Sequence, residues 1–126
     1  GRILNLHNAP LPKYRGVSPI NWALKNEEPM HGVTIHEITP GIDDGPVVSQ
    51  VQYSLYPAFD EVKTVYGRAL EFAWTLFQQT MPMLDQIVAR PQDNAQATYY
   101  SAKENHLLQE RRYFTREESL QRLAGH

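Results

Sequence analysis

Cysteine is absent from all 126 residues, which excludes disulfides, thiolate metal ligands and cysteine nucleophiles together and suits a cytosolic home. No apolar run approaches the roughly 18 residues that a membrane helix requires. The opening Gly1-Arg2-Ile3-Leu4-Asn5-Leu6-His7 also lacks the charged, apolar and small-residue order of a signal peptide. Strong charge of one sign is missing as well. The formal net charge is −2 and the isoelectric point near 6.2, so the positive field that drives binding to nucleic-acid phosphates is lacking. These absences point to a soluble cytoplasmic protein. They exclude DNA and membrane as partners and disfavour tRNA.

What remains is ordinary globular composition, with 41% hydrophobic and 21% charged residues, enough for one domain with a usable core. Ile3 to His7 reads as a buried strand that the chain reaches at once, and such an abrupt start resembles a cut through something larger. Asn8 to Gly16 is a proline-constrained loop. Ser18-Pro19 opens a helix that Pro29 ends. Residues 32–38 and 47–51 read as strands, separated by the glycine-containing turn Thr39 to Gly45. Asp60 is placed to cap a long helix carrying Val62, Val65, Tyr66, Ala69, Phe72, Ala73 and Leu76 at helical spacing, with a break near Pro82. A polar linker over 91–96, a short strand over 97–101 and a capping box at Thr115 to Glu118 complete the chain. The order of elements predicts an α/β fold with a parallel, Rossmann-like sheet. Residues 1–90 form its catalytic part and 91–126 a linker, short strand and helix extension.

Asn5 and His7 stand two apart on the first strand, so their side chains leave one face, at the strand end where open α/β sheets bind ligands. An amide donor beside an imidazole suits acyl transfer, since both can donate to an oxyanion and the ring can shuttle a proton. Asp43, in the glycine-containing turn, is placed to orient or charge the histidine. The bland alternatives are a turn asparagine, a structural histidine and a simple Asp-Asp-Gly turn. His31, His36, Asp43 and Asp44 have no recognised ligand spacing, so no metal is expected.

The run Asn5-Leu6-His7-Asn8-Ala9-Pro10-Leu11-Pro12-Lys13-Tyr14-Arg15-Gly16, followed in order by Pro19, Trp22, Gly32-Val33-Thr34 and Ile42-Asp43-Asp44-Gly45, resembles the signature of the 10-formyltetrahydrofolate-dependent formyltransferases. The resemblance covers roughly residues 1–51 closely and implies a Rossmann-like sheet and a catalytic triad of Asn5, His7 and Asp43. It implies transfer of a formyl group from 10-formyltetrahydrofolate to a primary amine, with Asp43 pairing with charged His7. The loop Ala9, Pro10, Leu11 and Pro12, with Gly41 and Ile42, would then meet the folate. Lys13, Tyr14 and Arg15 either contact a substrate phosphate or the folate glutamate, or form a solvated loop.

Ala9-Pro10-Leu11-Pro12 replaces the commoner Ser-Leu-Leu-Pro of the family, which leans toward the branch acting on nucleotide-linked amino sugars rather than on methionyl-tRNA. The family carries about a hundred residues before Asn-x-His, and their absence predicts an inactive isolated fragment with an exposed strand edge and a tendency to self-associate. A non-catalytic scaffold that retains the fold is the alternative from another functional class.

Overall fold

A computed structural model describes residues 2–110. In chain order its elements are β1 (Leu4–His7), β2 (Arg15–Gly16), α1 (Pro19–Lys25), β3 (Met30–Glu37), β4 (Val47–Ser54), α2 (Val62–Thr80) and β5 (Tyr99–Tyr100), with 3₁₀ turns at Met81–Gln86, Asn94–Gln96 and Ala102–Glu110. Strands β1, β3 and β4 form one sheet in the order β1-β3-β4, and β2 pairs with β5 in a second. The α/β class expected from sequence holds. The capping box at Thr115 to Glu118 lies outside the described residues.

The direction of the strands differs from the expectation. Only the two-residue β2–β5 pairing is parallel, while β1 runs antiparallel to β3 and β3 antiparallel to β4. The chain runs on past His7 through β2 and the seven-residue α1 and re-enters with Met30 beyond the His7 end of β1, with Thr34 opposite His7 and Glu37 opposite Leu4, as antiparallel pairing requires. Among the described residues β1 is an edge strand, with Ile3 71% and Leu6 39% exposed, which agrees with the exposed strand edge expected above.

Alternation divides the main sheet into two faces. His31, Val33 and Ile35 of β3 lie opposite Tyr53, Val51 and Ser49 of β4, on the face covered by α2. Val65, Ala69, Ala73, Leu76 and Thr80 are the buried positions of that helix, spaced three or four apart as a single stripe requires. Tyr66 and Phe72, expected on the same stripe, flank it at 41% and 36% exposure. Thr80 closes the layer through a 2.8 Å hydroxyl contact with Ser49, and Pro82 then converts the helix to a 3₁₀ turn. The opposite face of the sheet carries Gly32, Thr34, Gln50 and Gln52, and the loop after β1 lies across it.

Asp60 does not cap α2. The N-cap is Glu61, with no side-chain bond. The Asp60 carboxylate instead accepts the Tyr56 amide at 2.8 Å and a two-pronged bond from Arg68 at 2.8 and 2.9 Å. Its own N–H donates to Tyr56 O, so the β4–α2 connection is folded around one buried carboxylate, and Arg68, eight residues further on, neutralises it. The fork geometry of guanidinium on carboxylate makes this arrangement more favourable than a cap bond would be. Removing the carboxylate leaves the guanidinium with only Ser54 O and the face of the Tyr56 ring. Asp60→Ala should lower stability by about 3 kcal/mol, measured as a fall in the urea midpoint at unchanged slope.

Candidate active site

The antiparallel register sets Asn5 opposite His36 and His7 opposite Thr34, so all four side chains leave the face not covered by α2. His7 is buried. Its Nε2 lies 2.7 Å from Tyr14 O; a carbonyl can only accept, so Nε2 carries a proton and donates. Nδ1 is thereby the nitrogen that faces Asp43, 3.6 Å from Oδ1. His36 is arranged in the same way. Nδ1 donates to Glu37 O at 3.0 Å, and Nε2 points at the same Asp43 Oδ1 from 3.6 Å. The two rings meet edge to face with centroids 6.5 Å apart. One carboxylate oxygen therefore stands between two imidazoles, at ion-pair range but beyond an ordinary hydrogen bond. Asn5 is exposed, and its side-chain amide has no hydrogen-bond partner among the described residues.

Asp43 is held in this place from several sides. Its φ of 52° is left-handed, a conformation that aspartate tolerates better than most side chains. Oδ2 accepts the Gly16 amide at 3.0 Å, and Gln92 Nε2 donates to the carbonyls of Asp43 and Gly45 at 2.8 Å each. Two glycines are obligatory here. Gly16 has φ 98° and approaches Tyr100 O so closely that a Cβ would collide with it, and a Cβ on Gly45 would collide with Glu37 O.

The loop expected to meet the folate is partly internal. Ala9 and Leu11 are buried, while Leu11 and Pro12 line two clefts and Pro10 only the first of them. One cleft, of about 340 Å³, is also lined by Lys13, Glu28 and Gln50. The other, of about 460 Å³, includes Val48, Gln50, Arg90 and Gln92. Gly41 and Ile42 are exposed on the turn beside Asp43.

The loop residues 13–15 separate into three environments. Lys13 is exposed. Tyr14 belongs to the core: its ring stacks on Tyr100, its hydroxyl accepts from Asn26 at 3.0 Å, and burial pushes its phenol up to about 12. Arg15 is spent within the chain, donating to Gln92 Oε1 and Asn94 Oδ1. The sequence reading considered His36 only as a metal ligand and passed over Gln92 as part of a polar linker. Antiparallel pairing of β1 with β3 is the signal that would have placed His36 beside Asn5. For Gln92 the one-dimensional pattern holds no signal.

His31 supports the site from beneath. It is fully buried, and its Nε2 donates to Asn8 O at 2.8 Å, anchoring the residue after His7. Burial, with a smaller contribution from nearby His7, lowers its pKa to about 4, against the partial opposition of the Asn8 bond. The folded state thus holds it neutral while the unfolded chain protonates near 6.5. Its contribution is fully present above pH 6.5 and is lost as pH falls through 6.5 toward 4. The full loss approaches about 3 kcal/mol. Denaturant unfolding between pH 7 and pH 4.5 should show this slope, and His31→Gln, which keeps a donor for Asn8, should flatten it.

A family model described as formyl transferase matches residues 1–81. The chain is 38% identical over 96 residues to the methionyl-tRNA formyltransferase of Deinococcus radiodurans, an alignment that covers 76% of this chain and 30% of that protein. Among solved structures, an N-formyltransferase from Helicobacter canadensis in complex with folinic acid and dTDP-3-aminofucose superposes with a TM-score of 0.77 at 28% identity, covering 81% of this chain and 38% of that one. The formyltransferase PseJ from Anoxybacillus kamchatkensis, in complex with a UDP-linked formamido sugar and tetrahydrofolate, gives 0.74 at 31% identity, covering 82% and 55%. The chain spans about a third of the length of the methionyl-tRNA formyltransferases it matches. With the family match extending over more than half of its residues, the chain belongs to the formyltransferase family.

Proposed function

We propose that the protein transfers a formyl group from 10-formyltetrahydrofolate to a primary amine at the face shared by Asn5, His7 and Asp43. The observation that carries this is the Asp43 carboxylate lying 3.6 Å from the His7 ring on the sheet face where Asn5 presents an exposed amide. Folate-bound relatives support the donor, and the exposed Asn5 amide, without a partner among the described residues, fits a ligand that brings a carbonyl oxygen. The donor supplies an activated formyl carbon. Asn5 and protonated His7 then stabilise the negative charge that develops on the formyl oxygen as the amine attacks. Asp43, facing His7 at 3.6 Å, takes the proton released by the attacking amine nitrogen; the intermediate then collapses to the amide as the bond from the formyl carbon to the folate nitrogen breaks and the His7 proton passes to that nitrogen.

For the acceptor, we favour a small amine on a nucleotide-linked sugar. The solved formyltransferases above carry such sugars, and the mild net negative charge gives no general attraction for RNA. Methionyl-tRNA is the second reading, favoured by the 38% identity to an enzyme of that name. The test incubates the full-length protein with 10-formyltetrahydrofolate and each acceptor in turn, following release of tetrahydrofolate. Turnover with amino sugars and none with methionyl-tRNA is the expected outcome. The reverse pattern overturns the choice of acceptor, and silence with every acceptor overturns the enzymatic reading. Asn5→Ala and His7→Ala should each lower turnover about a hundredfold, and near-normal rates in both would remove them from the centre.

A further inference from the structure

Gln92 uses every hydrogen-bonding position of its side chain. The amide nitrogen donates both hydrogens, one to Asp43 O and one to Gly45 O, each at 2.8 Å. The amide oxygen accepts twice from the Arg15 guanidinium, from Nε at 3.1 Å and from Nη2 at 2.8 Å. Flipping the amide would set oxygen against two carbonyls and NH₂ against a cation, so this network admits one orientation. The arrangement is directional. Arg15 fixes the oxygen, the rigid amide plane transmits that orientation, and the nitrogen clamps the carbonyls on both sides of the turn that carries the Asp43 carboxylate. Arg15 is itself anchored, since Nη2 also reaches Asn94 Oδ1 at 2.8 Å and its backbone N–H donates to Thr98 O at 2.9 Å. The next residue, Gly16, gives its N–H to Asp43 Oδ2 at 3.0 Å. The carboxylate and the turn behind it are thus held by two neighbouring residues, one directly and the other through Gln92.

We infer that Gln92 is a positioning residue for Asp43, and that Arg15 acts by orienting Gln92 rather than by touching a ligand. The inference rests on the proposed role of Asp43 in formyl transfer. Three features of the structure support it. The left-handed φ of 52° at Asp43 is a conformation that needs outside support to persist. The carboxylate faces His7 and His36 at 3.6 Å each, so a small rotation of the turn would bring it closer to one ring at the expense of the other. Three of the five N–H donors of the Arg15 guanidinium are committed to Gln92 and Asn94, so the Nε–Nη2 edge that would grip a phosphate in a paired fashion is already taken.

Gln92→Glu isolates the effect. Glutamate keeps an acceptor for Arg15, and so keeps residues 90–100 attached, but it sets an oxygen in place of an N–H against the carbonyls of Asp43 and Gly45. In the full-length protein this variant should lower kcat about ten- to a hundredfold, the scale of a misplaced catalytic group. KM for donor and acceptor should stay within about threefold of wild type. In an Asp43→Asn background the same substitution should cost at most about twofold more, because Gln92 acts only through the carboxylate. Equal losses in both backgrounds, or a wild-type rate in the single variant, overturn the inference. Arg15→Lys keeps the charge but loses the paired bonds. It should lower kcat at unchanged KM, and a raised KM with preserved kcat would instead make Arg15 a ligand contact. Amide hydrogen exchange separates this inference from the reading beneath it. Gln92→Glu should speed exchange at Gly16 N–H while Val33 N–H in the sheet stays protected. Unchanged protection at Gly16 overturns the clamp whether or not the protein turns over, whereas a wild type silent with every acceptor overturns only the proposed activity.

Discussion

The hydroxyl of Thr34 donates to Ala9 O at 2.7 Å and accepts from Leu11 N at 3.2 Å and Gln50 Nε2 at 2.8 Å. A threonine oxygen has one hydrogen and two lone pairs, and here all three are used in a fully buried position. Gln50 donates a second time, to Leu11 O at 3.0 Å. The polar face of the sheet is thus tied to the backbone of the loop at three points between Ala9 and Leu11. That tie decides where the loop leaves β1, and with it where His7, the last residue of the strand, directs its ring. It also decides where Tyr14 O lies to receive the His7 proton and where Gly16 N–H lies to meet Asp43. Without the tie, the loop would have to find these positions against its own conformational entropy.

A second layer of order comes from stacked rings. Trp22 lies 4.1 Å from Tyr100, and Tyr100 is 5.8 Å from Tyr14, nearly parallel in both contacts. Tyr14 then meets His31 edge-on at 5.5 Å, and His31 meets Tyr53 at 6.2 Å. This row joins α1, β5, the loop, β3 and β4, so the buried histidine beneath the site is packed on both sides by phenol rings. Offset and edge-to-face contacts of this kind contribute about 0.5–1.5 kcal/mol each beyond burial, enough to set the loop's height above the sheet.

Much of the local structure was legible in the sequence, because it depends on neighbours in the chain. Pro19 and Pro29 bracket α1, the β-branched run marks β3, and Pro82 marks the end of α2. Strand direction was not legible, since it is set by how β1 and β3 pair across the sheet rather than by any residue in β1. Asp60 misled for a related reason: the cap pattern is local, but Arg68 competes for the same carboxylate from eight residues further on. Asn5, His7 and Asp43 could be picked out by chemistry and by resemblance to the family. Their geometry required the antiparallel register, which also brings in His36, and the turn required Gln92, 49 residues away from Asp43 in sequence.

The docking of the strap, residues 90–100, has a consequence for the order in which the structure assembles. The contacts it makes close long stretches of chain, 77 residues between Arg15 and Gln92 and 84 between Tyr14 and Thr98. The β3–β4 hairpin and α2, by contrast, are built from near neighbours and can form early. A chain whose sheet and long helix are already packed can therefore still have an unfinished Asp43 turn, awaiting the arrival of Gln92. Ordered by the length of chain that must be closed, completion of the site falls after the hairpin and the long helix.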